Sequence, residues 1–147
     1  MENDNLVAAL EHIAIGSVGV TTRALTHAAP GVELTLPQWR ALLILGEDSD
    51  GARVGEVAAR VGVTLPATSR LLRRLERRGI VALATDEADH RATRARLTAR
   101  GHEVREAVLE FRREALREIA GAVRAKKGRT EVEPVLAALA AEFGRFA

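Results

Sequence analysis

Cysteine and tyrosine are absent from this sequence, and aromatic residues make up only 3% of it. Without thiols the chain has no disulfide, no thiolate metal site and no thiol redox switch. The four histidines, His12, His27, His90 and His102, are scattered, with none at H-x-x-x-H spacing, so no local zinc motif exists. No apolar run approaches the roughly 20 residues of a membrane-spanning helix. The opening Met1-Glu2-Asn3-Asp4-Asn5 is polar and acidic and does not read as a signal peptide. A cytoplasmic location is the expectation. Nor is there a large charge excess: the net charge is +2, although the isoelectric point is near 9.9. With no Tyr and no Cys, almost nothing titrates between pH 7 and 10, so a small positive charge persists to high pH. Where the charge sits therefore matters more than its sum.

What is present is a globular composition, 47% hydrophobic and 29% charged over 147 residues, with no repeat and no low-complexity linker. The pattern is nearly all helical. Leu6, Leu10, Ile13, Ser17 and Val20 predict a long first helix, capped at Asn3, Asp4 or Asn5 and ended by Pro30-Gly31. Thr35-Leu36-Pro37-Gln38 is a capping box with Pro in the first turn, opening a helix that carries Trp39, Leu42, Leu43 and Leu45. After the polar turn 47–51, Val54, Val57, Ala58 and Val61 mark a short helix stopped by Gly62. Thr64 caps the next helix, which runs to about Arg78 and ends at Gly79. Ile80 to Thr85 reads as a strand. The polar run 86–90 turns the chain, and Arg94 to Leu97 returns with period two, making a β-hairpin. Thr98 caps a very long helix with the seam Val104, Val108, Phe111, Ala115, Ile119 and Ala122, ending at Lys126-Lys127-Gly128. A second capping box, Thr130 to Glu133, opens a last helix bearing Val132, Val135, Leu136, Leu139, Phe143 and Phe146.

The two helices between Val54 and Arg78 form a helix-turn-helix pattern. Ala58 lies four residues before Gly62, which suits the left-handed turn geometry, and Thr68, Leu71, Leu72 and Leu75 share one side of the second helix. Opposite them, Pro66, Arg70, Arg73 and Arg77 form one stripe, with Arg74 adjoining. Five arginines and one glutamate fall between Thr64 and Arg78. Such a face suits phosphates and guanine edges in a major groove. Thr64, Pro66 and Ser69 stand near the leading end, which reaches base edges in this motif. The alternative is a solvated helix face, but such faces mostly mix their charges. At the hairpin tip, Asp89 lies two residues from Arg91, a spacing at which the carboxylate holds the guanidinium in one orientation.

These residues resemble the multiple antibiotic resistance regulator (MarR) family over nearly the whole chain. The similar segments are Leu34 to Leu42, Val54 to Gly79 with the exit Leu75-Glu76-Arg77-Arg78-Gly79-Ile80-Val81, and the wing run Asp89 to Thr98. The resemblance implies a mainly α fold, a winged helix-turn-helix over about 35–98 with a two-stranded β-wing. Long terminal helices, about 1–30 and 99–147, form a dimer interface, so that 1–147 is a single domain of this type. It implies a homodimeric, sequence-specific, double-stranded-DNA-binding transcription regulator, a ligand-responsive repressor on a palindromic operator. In that reading Asp89 orients Arg91, and Arg91 enters the minor groove. His90 stands where many members carry another arginine. Many members bind aromatic or phenolic anions as effectors; Trp39 and Phe111 are aromatic, but each lies on an apolar helix face and reads as core. No cofactor is implied. A helical adaptor would explain the long terminal helices and not the arginine stripe. An enzyme lacks support, since no nucleophile–base pattern, phosphate-binding Gly loop or metal motif is found.

Overall fold

The structure, a computed structural model, describes residues 2–127 and 129–144. Its elements run α1 (Glu2–His27), α2 (Leu36–Leu45), β1 (Ala52–Arg53), α3 (Val54–Val61), α4 (Leu65–Arg77), β2 (Val81–Thr85), β3 (Thr93–Leu97), α5 (Ala99–Lys127) and α6 (Arg129–Gly144). The strands form one antiparallel sheet in the order β1-β3-β2. Among the described residues no helix is long and apolar enough to cross a membrane. The chain divides into two compact units, Met1–Phe111 and Arg112–Ala147.

Local chemistry sets most of the first unit. Thr35 Oγ1 accepts from the Gln38 amide at 3.4 Å while Gln38 Oε1 accepts from the Thr35 amide at 2.9 Å, so the expected capping box is made. Gly62 has φ +79° at the end of α3 and its amide bonds Ala58 O at 3.0 Å, turning the chain where a side chain would be strained. Gly51 is required for a different reason: a Cβ there would run into the Ala95 carbonyl of β3. Thr98 Oγ1 accepts from the Gly101 amide at 3.0 Å and donates to Gly79 O at 2.6 Å, which caps α5 and ties it to the end of α4.

The core gathers Ala24 and Leu25 of α1, Trp39, Leu42 and Leu45 of α2, Val57 and Val61 of α3, Leu72 and Leu75 of α4, then Ile80, Val81, Ala95, Leu97, Val104 and Val108. Trp39 is sealed within it and Phe111 packs half-buried against it.

Four expectations change. Helical backbone is already present at Glu2, so Asn3, Asp4 and Asn5 lie inside α1 and not at its N-cap position; a carboxylate such as Asp4 is tolerated in a first turn by the helix dipole. The sheet has a third strand, β1, whose two residues are too few to show alternation in sequence. The α5 seam is buried only at its start: Val104 and Val108 are buried, Phe111 and Ala115 half-buried, and Ile119 and Ala122 exposed. Finally, α6 begins at Arg129, so Thr130 to Glu133 stand within the helix instead of ahead of it.

In the second unit Arg124 Nη2 and Glu133 Oε1 pair at 2.7 Å, and Leu116, Ile119, Val135 and Leu136 are exposed. Gly128 and Phe146 lie outside the described residues, as do the side chains of Asn3, Lys126, Lys127, Thr130, Glu131, Val132 and Phe143.

Leu72 is fully buried and seats α4 on the core. Leu72→Ala is expected to cost about 2–5 kcal/mol in denaturant unfolding. A loss near zero would mean that α4 is not anchored through this residue.

Candidate nucleic-acid interface

Thr64 starts α4 by accepting the Ala67 amide on Oγ1 at 3.4 Å, and Thr68 Oγ1 donates to Thr64 O at 3.1 Å on the buried side. With Thr68, Leu72 and Leu75 turned inward, Pro66, Arg70, Arg73, Arg74 and Arg77 are exposed and Ser69 is half-buried. Among the described residues none of these four arginines makes a hydrogen bond or ion pair. The single acid of this stretch, Glu76, accepts the Leu83 amide of β2 at 3.4 Å. The fifth arginine, Arg78, is half-buried and donates through Nη1 to Glu33 O at 2.9 Å, which makes it a strut between α4 and the segment before α2. Arg60 is likewise spent on the scaffold. It grips Glu47 with two bonds of 2.8 and 2.6 Å, and Arg40 Nη2 donates to Arg60 O at 2.9 Å. The Arg60 guanidinium lowers the Glu47 pKa.

The wing is organised around a residue that shows no motif in the sequence. Asp86 directly follows β2, with its side chain only 2% exposed. Its Oδ1 accepts from Arg53 Nη2 at 2.9 Å and from the amides of Ala88 at 3.1 Å and Asp89 at 3.0 Å. Its Oδ2 accepts from Arg94 Nε at 2.8 Å and Arg53 Nε at 3.2 Å. The pairing register sets Arg53 of β1 directly opposite Arg94 of β3. Two like charges in that relation repel, and the Asp86 carboxylate between them reverses the balance. Hydrogen bonds from Arg53 and then Arg94 hold its carboxyl well below the usual carboxylate range, against the opposing effect of burial. Arg94 Nη1 also reaches Gly51 O at 3.3 Å, and the Arg53 amide donates to Glu56 Oε2 at 2.7 Å, so the same cluster fixes the start of α3.

At the tip, Asp89 acts differently from expectation. Its Oδ1 accepts the backbone amide of Arg91 at 3.1 Å, and no bond joins it to the Arg91 guanidinium. A short side chain two residues ahead reaches the amide in an Asx turn more easily than it reaches the far end of a long one. Asp89 shapes the loop, and the exposed Arg91 side chain makes no bond among the described residues.

Between α4 and the wing runs an open groove of about 820 Å³. It brings together Ser69, Arg73 and Arg91 from the sequence-derived set, and adds Arg53, Glu56 and Leu65. Thr64, Pro66, Arg70, Arg74, Arg77 and Asp89 do not line it; the arginines and Pro66 stand on the outer face of α4. Arg53 and Asp86 escape sequence reading because they are 33 residues apart and lie in a two-residue strand and a turn. No local signal marks Asp86, which shares its run with Glu87 and Asp89. No group of three or more His, Cys, Asp or Glu is placed to hold a metal among the described residues.

The Asp86 cluster makes a pH prediction. A carboxyl whose folded pKa is depressed stabilises the fold above its unfolded value, about 4, and loses that contribution as pH falls through the folded value. Asp86→Asn is expected to lower the melting temperature at neutral pH, to weaken the acid dependence below about pH 4, and to speed hydrogen exchange at the Ala88 and Asp89 amides. Unchanged exchange at both amides would show that the carboxylate does not order the wing.

Residues 32–92, which contain α2 to the wing tip, match the model of the MarR family. Over 115 residues the chain is 27% identical to the HTH-type transcriptional repressor IacR of Pseudomonas putida; the alignment covers 78% of this chain and 65% of that protein's length. A MarR family protein from Bacillus stearothermophilus superposes with a TM-score of 0.78 at 27% identity, covering 98% of this chain and 94% of the other. The fold also matches, at 21% identity and a TM-score of 0.65, a mutant of S. aureus MepR bound to an oligodeoxyribonucleotide, over 97% of this chain and 98% of that one. With a helix-turn-helix, a braced wing and a fold shared along nearly its whole length with proteins of that family, the chain is similar to the MarR family, whose model its residues 32–92 match.

Proposed function

We propose that this chain is a cytoplasmic, homodimeric repressor of transcription that binds a roughly palindromic operator, placing α4 in the major groove and the wing on the adjacent minor groove. The observation that carries this reading is the outer face of α4: four arginines with no partner among the described residues, beside a groove that ends at Arg91. Unpaired guanidiniums on one helix face are the donors a phosphate backbone neutralises. The repressor name of the P. putida relative and the oligodeoxyribonucleotide on MepR support the same assignment. A small aromatic or phenolic anion as effector follows from the family resemblance. Trp39, sealed in the core, is not part of that proposal.

Dimerisation draws on α1. Leu6, Val7, Ile13, Ile15 and Val18 are exposed there. The hydroxyls of Ser17, Thr21, Thr22 and Thr26 donate to carbonyls of the helix itself, so a partner can cover them without orphaning a polar group. A two-fold partner covers such a surface isologously. Light scattering at micromolar concentration is expected to give about twice the 15.8 kDa chain mass; a soluble monomer there contradicts the dimer.

On DNA, two α4 helices related by a two-fold require half-sites about 10 bp apart. Pro66, Ser69 and Arg70 are assigned to base edges, and Arg73, Arg74 and Arg77 mainly to phosphates. Arg77→Ala is expected to weaken binding to specific and scrambled duplexes alike. It should also flatten the slope of log K against log salt by roughly 2 per dimer, about 0.9 for each phosphate no longer neutralised. Arg70→Ala should instead relax preference at one symmetric pair of positions. Arg91→Ala should cost about 1–3 kcal/mol, and Asp89→Ala less. Loss confined to the specific site in Arg77→Ala, with uniform loss in Arg70→Ala, reverses the orientation of the helix.

A further inference from the structure

Leu65 is the first residue of α4 and is 53% exposed. It borders the same groove as Ser69, Arg73 and Arg91, so this aliphatic group lies within the charged face and not on a remote surface. Pro66 beside it is exposed and has no backbone N–H to donate. The Thr64 hydroxyl caps the helix by accepting the Ala67 amide. The first two residues of the helix itself are apolar, and the first long polar side chain, Arg70, comes more than a turn later.

A duplex offers few apolar groups to match such an end. Phosphates are charged, the C–H groups of the sugars are the same at every base, and base edges in the major groove present donors and acceptors with one prominent apolar exception, the 5-methyl group of thymine. A leucine set against phosphate would desolvate it without replacing a bond. Set against a methyl group, it removes apolar surface of both partners from water. The arginines beside it bring the duplex to this end of α4, and charge complementarity thus selects DNA as the occupant.

We propose that Leu65, with Pro66 beside it, reads thymine methyl groups in the major groove, which makes Leu65 a specificity-determining residue and places thymine in each half-site at the base it faces. This rests on the DNA-binding reading above and deepens it.

The full chain is used to select duplexes from a random-sequence pool. The most strongly selected thymines of each half-site are then replaced by deoxyuridine, which pairs identically and lacks only the methyl group. Wild type is expected to bind about fourfold more weakly for each contacted methyl removed. Leu65→Ala is expected to bind the thymine and uracil duplexes equally. Because Leu65 is exposed, this variant keeps its melting temperature. Wild-type affinity indifferent to the methyl groups would overturn the proposal while leaving sequence-specific binding intact, and so would an equal loss in Leu65→Ala, which would assign the effect to duplex stiffness. A pool that yields no enriched sequence would remove the DNA-binding reading, and the methyl readout with it.

Discussion

A buried carboxylate is unfavourable unless donors replace the water it loses. At Asp86 two guanidiniums and two backbone amides do so, and the geometry of the helix-turn-helix and wing follows from where they come. Arg53 comes from β1, immediately ahead of α3. Arg94 comes from β3, in the wing. The amides come from the loop that joins β2 to β3. A single side chain thus fixes the wing to the sheet and the sheet to the first helix of the helix-turn-helix. The constraint is mutual: without Asp86, the register that pairs Arg53 with Arg94 would set two cations side by side.

Local rules made much of this architecture legible. The Thr35 and Gln38 capping box, the Thr64 cap, the Gly62 turn and the inward set Thr68, Leu72 and Leu75 depend on residues within a few positions of one another, and a sequence displays such spacings directly. What stayed hidden is long-range. Arg78 and Arg77 are adjacent and chemically identical, yet one is bound to a carbonyl 45 residues away and the other is exposed. Nothing in the periodicity of α4 separates a strut from a ligand-facing cation. The same holds for Asp86 and Asp89. Both lie in the polar run after β2. Asp89 stands two residues from Arg91 in sequence and so suggests a partner, whereas Asp86, which organises the wing, meets its partners across the sheet.

This sorting of cations changes the electrostatic picture. A count of arginines overstates what is available to a polyanion. Arg53, Arg60, Arg78 and Arg94 are held by acids or carbonyls that position α2, α3, α4 and the sheet. On α4 and at the wing tip, Arg70, Arg73, Arg74, Arg77 and Arg91 remain. The small net charge of +2 is thus compatible with a basic face, because acids offset the sum and, among the described residues, none pairs with the guanidiniums of these five.

Within that face, affinity and selectivity fall on different chemistry. Guanidiniums toward phosphates act on any sequence and weaken as salt competes for the same charges. In the proposed complex they hold a duplex against α4 without distinguishing one base pair from another. Distinction requires groups whose interaction changes with the base, and these must stand at the leading end of the helix, where the backbone approaches the groove floor. The leading end here is apolar at Leu65 and Pro66 and polar at Ser69. A preference built there is set by shape and hydration more than by charge, and an apolar contact has no counterions to release. In the proposed complex, raising the salt concentration therefore erodes the grip of the arginines on every sequence, while the difference between a favoured and an unfavoured site at the leading end of α4 changes much less.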